Sequence, residues 1–412
     1  MKHYAIESES ISVKGDWVKH ILSPQKEKDL PELDNKRGLL FSNVTLEKMI
    51  DDEMRHDNFA LSLDKSRSIR TYSSGEQKKA LLIYLINQKP EFLILDNPFD
   101  CLDVASVASL KESIIELSKV VPIIQLFKRE HDILPFITDV LVLEKEKLVK
   151  RHSLNSFKES LIHQNKDVFV NALPAAAGKL IEVPQVLVEL KDVTVSYDER
   201  CIINKLNWRI QKGEFWHLIG PNGSGKTTLL TMIYGDNPKA YGVNLFLFGH
   251  KKGTGESVWE IKEKIGYFTP SMTELFSGNH TAENMIISGL VDSVGLYRRP
   301  TDIQQRLAMQ WLSLLGLKDK AQTLFYKLSQ IEQRMILIAR AMVKHPPLLI
   351  LDEPSTGLDD KHANMMVSLI NKIANESDSA ILYVSHRTEL GLKPDKKYVL
   401  TPNAEGSIGE VL

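Results

Sequence analysis

Residues 215–233 read FWHLIGPNGSGKTTLLTMI, and this stretch decides the fold. An apolar strand, FWHLI, runs into a glycine-rich turn, and a helix opens at Lys226. The turn, GPNGSGKTT at 220–228, fits G-x-x-x-x-G-K-[ST], with Gly220, Gly225, Lys226 and Thr227 at the defining places. Glycines let a backbone curl until successive N–H groups point inward and cradle phosphate oxygens. The helix that follows adds the positive end of its dipole. Pro221, Asn222, Gly223, Ser224 and Thr228 complete the loop. Lys226 is placed to reach the β/γ-phosphates, and the Thr227 hydroxyl to ligate Mg²⁺. The alternative, a plain glycine turn between strand and helix, does not account for the partners found downstream.

The first of those partners lies 126 residues on, where LLILDE (348–353) is a buried strand ending in two carboxylates. Asp352 is expected to hold the Mg²⁺ shell, and Glu353 to polarise an attacking water as general base. His386 follows another apolar strand, AILYVS (380–385), which sets it at the sheet's carboxyl edge, where open α/β folds bind ligands. It is either a γ-phosphate contact or a surface histidine. Tyr197 precedes Lys226 by 29 residues and is either an adenine-stacking ring or a strand-end aromatic on the core.

The same pattern occurs twice. TYSSGEQKKALLIYLINQKPEFLILDNPFDCLD (71–103) echoes KLSQIEQRMILIARAMVKHPPLLILDEPSTGLD (327–359). Ser73 to Asp96 and Ser329 to Asp352 are both 23 residues, and Asp96 to Asp103 and Asp352 to Asp359 are both 7. The chain therefore reads as a tandem repeat of one large α/β domain. Each copy is expected to hold a mostly parallel sheet with helical cover, with antiparallel strands at the front of the second. The expected boundaries are 1–160 for a shortened first copy, 161–185 for a linker and 186–412 for a complete second copy.

Composition sets the outer limits. The chain has 412 residues, 43% hydrophobic and 25% charged, enough for two sizeable cores. Lys plus Arg number 52 and Asp plus Glu 53, a net charge of −1 without the basic excess of a general nucleic-acid binder. Two cysteines exclude a disulfide framework and fit a reducing compartment. No apolar stretch approaches the ~20 residues of a membrane span, and the charged N-terminus does not resemble a signal peptide. A cytoplasmic location is expected, at the inner face of the cell membrane if the chain serves a membrane partner.

Taken together, these motifs resemble the ATP-binding cassette (ABC) ATPases, a tandem P-loop NTPase arrangement over nearly the whole chain. More narrowly, ILDNPFDCLDVAS (94–106), SYDERCIINKLNW (196–208), LFGHKKGTGESVWEIKEKIGY (247–267) and ARAMVKHPPLLILDEP (339–354) resemble the tandem ATP-binding proteins of the molybdate-transport, or photorepair, type. The resemblance implies ATP and Mg²⁺ as ligands and a separate membrane permease as a partner. It also implies cassettes paired head to tail, within one chain or between two, each ATP lying between one phosphate loop and the other cassette's Leu-Ser-Gly-Gly-Gln/Glu signature.

The departures from that pattern sort by site. The second signature is Leu328-Ser329-Gln330-Ile331-Glu332-Gln333, with both glycines gone; the first, Tyr72-Ser73-Ser74-Gly75-Glu76-Gln77, keeps Ser73 and Gly75. In the first copy no phosphate loop follows Gly15-Asp16-Trp17, the carboxylate pair is Asp96-Asn97, and the switch position is Lys128, with His131 nearby. One composite site, the second loop with Ser73 and Gly75, thus keeps every part, and the other has lost every part. The Gln loop departs as well: IGYF (265–268) leads into Thr269-Pro270-Ser271, with proline where the family's Mg²⁺-ligating Gln belongs. Water or Ser271 is left to replace it. The expected function is an ATPase subunit of a transporter. The alternative is a soluble, ATP-switched binding or regulatory module acting on a ribosome, nucleic acid or protein complex.

Overall fold

The two echoing segments each set one strand, Phe92–Asp96 and Leu348–Asp352, at the same place in two six-stranded sheets of matching order. The computed structural model describes residues 1–7, 13–23, 29–56, 68–100, 102–144, 146–161, 169–176, 178, 181–276, 278–296 and 298–412. Much of the expected linker (162–168, 177, 179 and 180) and Cys101 fall outside these. The chain divides into one unit of Met1–Lys166 with Gly357–Asp360, and another of Asp167–Thr356 with Lys361–Leu412.

In the first unit the strands are β1 (Tyr4–Glu7), β2 (Gly38–Phe41), β3 (Phe92–Asp96), β4 (Ile123–Phe127), β5 (Asp139–Glu144) and β6 (Lys147–Ser153). They lie in the order β2-β3-β4-β1-β5-β6, parallel except for the β5–β6 hairpin. A parallel sheet is covered on both faces, so its strands are apolar throughout, and FLILD (92–96) shows how. Leu93 and Leu95 pack with Leu81 and Leu85 of the helix Ser74–Asn87. Phe92 and Ile94 pack on the other face with Trp17 and Ile21 of the helix Asp16–Leu22.

In the second unit β7 (Val186–Tyr197), β8 (Arg200–Gln211), β10 (Leu245–Leu247) and β11 (His250–Lys251) form an antiparallel sheet of order β11-β10-β7-β8. The second sheet holds β9 (Phe215–Ile219), β12 (Ile265–Phe268), β13 (Leu348–Asp352), β14 (Ala380–Ser385), β15 (Lys396–Thr401) and β16 (Ile408–Val411). Its order, β12-β13-β14-β9-β15-β16, again ends in an antiparallel pair. Position for position, β1 matches β9, β3 matches β13 and β4 matches β14. The first unit has no counterpart of the antiparallel sheet among the described residues.

This matching corrects one reading. The lost phosphate loop belongs before Gly15-Asp16-Trp17, between β1 and the helix Asp16–Leu22, not after it. Gly15 stands immediately before that helix as Gly225 stands before the helix Lys226–Tyr234, so Asp16 occupies the lysine position. Gly15 has φ −72°, whereas Gly225 has φ +91°. The Glu146 carboxylate, in the β5–β6 turn, accepts from the N–H groups of Asp16 (2.6 Å) and Trp17 (3.3 Å). A chain carboxylate thus satisfies the leading amides of the helix, a role open to any anion at a helix start.

Candidate nucleotide site

The loop after β9 takes the strained form that its glycines permit. Gly223 and Gly225 have φ of +78° and +91°, the left-handed region that a side chain disfavours. Lys226, buried, donates its ammonium to the carbonyls of Gly220 (2.7 Å) and Pro221 (2.9 Å). Ser224 is fully buried beneath the loop.

Above the loop lies an open cavity walled by four elements of the second unit. Asn222, Gly223, Gly225, Lys226, Thr227 and Thr228 form its floor. Tyr197, Arg200 and Ile202 come from the β7–β8 turn, Thr269, Pro270 and Ser271 from the end of β12, and Asp352, Glu353 and Thr356 from the end of β13. Tyr197 is 40% exposed, with its hydroxyl accepting from Asn237 Nδ2 at 2.9 Å, so a flat ring is held at the rim. A hydroxyl (Thr227) and a carboxylate (Asp352) on one cavity wall are hard oxygen donors, the set that suits Mg²⁺.

Glu353 sits at φ +48° and its N–H bonds to Val384 O at 2.8 Å, which turns its side chain off the sheet edge. Its Oε1 lies 3.2 Å from His386 Nδ1, and its Oε2 accepts from the Thr356 hydroxyl at 2.9 Å. Arg387 Nε donates to His386 Nε2 (3.2 Å), so Nε2 accepts and Nδ1 carries the proton given to Glu353. His386 is buried and stands behind Glu353, outside the residues that line the cavity. Burial pushes the Glu353 carboxyl up, but the His386 N–H, the Thr356 hydroxyl and Lys226 outweigh it and hold it below the ordinary value. Glu353 is therefore ionised, as a base must be.

Asp352 goes the other way. Burial first, then the charge of Glu353, push it from 3.8 to about 6 against the pull of Lys226. The folded chain therefore holds this proton more tightly than the unfolded one, and Asp352 lowers stability as pH rises from about 4 to about 6. Metal-free Asp352→Asn chain is expected to melt above the native chain at pH 7 and to lose that advantage towards pH 4. Thermal melts in chelator check this, and an advantage independent of pH would refute the raised carboxyl.

The first unit repeats the frame without the chemistry. Asn97 has the same left-handed turn as Glu353 (φ +40°), but its amide donates to Asp96 Oδ1 at 2.8 Å. Lys128 is the residue after β4, as His386 is after β14, and it pairs with Asp100 at 3.1 Å. Ser73 and Ser329 both cap their helices, each accepting from the N–H three residues on, while Glu76 and Glu332 bond back to the serine amides at 2.7 and 3.0 Å. A Cβ on Gly75 would come within 2.5 Å of Ser106 Oγ, so packing inside the first unit already requires a glycine there. Ile331, at the matching place, is buried in the second unit.

Two features were not read from the sequence. Lys78 Nζ donates to Pro98 O (3.0 Å) and Asp100 O (2.8 Å), and Arg334 Nη1 to Pro354 O (3.0 Å) and Thr356 O (2.6 Å). Each cation follows its signature Gln directly, and each pins the loop beyond the Asp strand; that shared position was the available signal. Thr269 is the second feature. Phe268 pairs with Leu351, so the register carries Thr269 alongside Asp352 at the sheet edge.

A family model described as ABC transporter matches residues 203–356. The ABC transporter ATP-binding protein ModF of Escherichia coli (strain K12) is 33% identical over 420 residues, covering 88% of this chain and 84% of that protein. The chain belongs to the ABC ATP-binding family. An uncharacterized ABC transporter ATP-binding protein of Schizosaccharomyces pombe is 32% identical over 333 residues, covering 78% of this chain and 66% of that one. Among solved structures, an archaeal ribosome recycling factor in complex with a ribosomal stalk protein matches with TM-score 0.61 at 16% identity, over 99% of this chain and 85% of that one, a likeness of ABC fold alone. The chain is thus an ABC-type ATPase with tandem cassettes. Among the described residues no helix is long and apolar enough to cross a membrane.

Proposed function

We propose that the chain hydrolyses MgATP at one site and serves as the ATP-binding subunit of an ABC transporter. The observation that carries the reading is Glu353, hydrogen-bonded to His386, on the wall of the cavity that Lys226, Thr227 and Asp352 share. Tyr197 stacks the adenine, residues 220–228 hold the phosphates, and Ser73 and Gly75 of an N-terminal unit, from the same or a second copy, complete the γ-phosphate contacts. Mg²⁺, held by Thr227 and Asp352, neutralises phosphate charge when bound. Glu353 orients the water for in-line attack and His386 fixes Glu353 in that task. Thr269 and Ser271, both on the rim, supply hydroxyls where a Gln carboxamide is absent.

That same departure, Pro270 on the rim at the Gln position, favours a second reading, a soluble ATP-switched module with no permease. Capture with tagged Glu353→Gln chain in ATP, from membranes and cytosol together, separates the two. Co-purification of an integral membrane protein is expected. Recovery of ribosomes, nucleic acid or a soluble complex alone would replace the transporter reading. One bound nucleotide per chain is also expected, and two would refute the single site.

A further inference from the structure

The ends of β13 and β14 are neighbouring parallel strands, with Leu351 paired to Tyr383 and Asp352 to Val384. The loops that leave them are tied together in front and behind. In front, Glu353 meets His386. Behind, and away from the cavity, Ser355 Oγ donates to Glu389 Oε1 at 2.6 Å. Ser355 is 2% exposed and Glu389 6% exposed. A carboxylate buried to that degree is costly unless hydrogen bonds satisfy it, and a short bond to a charged acceptor is among the stronger kinds.

The single hydroxyl proton of Ser355 goes to Glu389, so the Tyr383 hydroxyl, 3.0 Å away, is the donor to Ser355. Tyr383 packs edge-on against His217, with ring centroids 5.2 Å apart. His217 Nε2 lies 2.8 Å from Ser385 Oγ, and Ser385 in turn donates to the Arg387 carbonyl, so His217 donates to Ser385. His386 is thereby held on both sides: Ser385 before it is fixed by His217, and Glu389 three residues after it is fixed by Ser355. None of Ser355, Tyr383, Glu389 or His217 lines the cavity.

We infer that Glu389 is a positioning residue for the Glu353–His386 pair, acting through its hydrogen bond to Ser355. The bond sets the separation of the two loops at a point beyond the reacting groups. Freed from it, the His386 loop loses its tie to the Asp352 loop behind the pair, and the Nδ1–H to Glu353 contact is less firmly enforced. The inference rests on the proposed hydrolysis at Glu353.

The test combines turnover with a readout that does not need turnover. Glu389→Ala and Ser355→Ala are each expected to lower kcat about tenfold with the KM for ATP little changed, and the double variant to be no worse than either, because both remove one contact. Glu389→Gln keeps a carbonyl oxygen for the Ser355 hydroxyl and should recover most of the loss. Imidazole ¹⁵N shifts should report His386 as the Nδ1–H form in the native chain and a mixture of both tautomers in Glu389→Ala. Native kcat and an unchanged His386 tautomer in Glu389→Ala would overturn the inference, as would losses that add in the double variant. Undiminished turnover in Lys226→Ala would instead overturn the underlying hydrolysis site, while the tautomer measurement still decides the role of Glu389.

Discussion

Glu353→Gln chain is expected to bind ATP as the native chain does and to lose at least about a hundredfold in turnover. The carboxamide has nearly the shape of the carboxylate, and its oxygen can still accept from His386 Nδ1, now 3.2 Å from Glu353 Oε1. The buried strand behind it, LLILD, is untouched, so the fold has no reason to change. What the amide lacks is a basic lone pair for the water's proton. The native group is suited to that role, since His386 and Thr356 hold it ionised despite burial. Steady-state hydrolysis beside equilibrium ATP binding checks the split. Native turnover would remove Glu353 as base, and a parallel loss of ATP affinity would make it a binding group.

The second large effect is an asymmetry between two serines that are structurally alike. Ser73 and Ser329 each close a capping box with the glutamate three residues on, and both are exposed. Replacing either by alanine removes one cap, a loss of about 1 kcal/mol and a fall in Tm of about 2–4 °C at either position. If only one nucleotide is bound, across from the first signature, turnover should fall about tenfold or more in Ser73→Ala and hold in Ser329→Ala. The equal stability loss serves as an internal control, because both variants are weakened by the same route. Melting curves and hydrolysis rates on the two variants check this. Equal losses of activity would refute a single site.

The parts that could be read from sequence are those that local geometry dictates. GPNGSGKTT states its own conformation, because glycines at 223 and 225 are needed where φ turns positive. LLILDE reads as a buried parallel strand because both faces are covered. The first unit's β1 was missed because YAIE is only four residues long, too short for a periodicity, and this put the lost loop on the wrong side of Gly15. Contacts made far along the chain left no local trace. Glu146 reaches Asp16 across 130 residues, and Glu389 reaches Ser355 across 34. His386 could be placed at the sheet edge by the strand before it, but its position behind Glu353 depends on Arg387, Ser385 and His217, which follow no family motif quoted for this chain.

The Glu146 carboxylate at the start of the helix Asp16–Leu22 has a wider consequence. A fold stabilised by a ligand that it must borrow gains stability with the supply of that ligand, as RT ln(1 + [L]/Kd). A fold that carries its own anion has no such dependence. The two halves of this chain therefore differ in how they meet a fall in cellular energy. On the proposed single-site reading, the second unit gives up the stability that its nucleotide lends when ATP falls, whereas the first, with Glu146 at its helix start, loses none by that route.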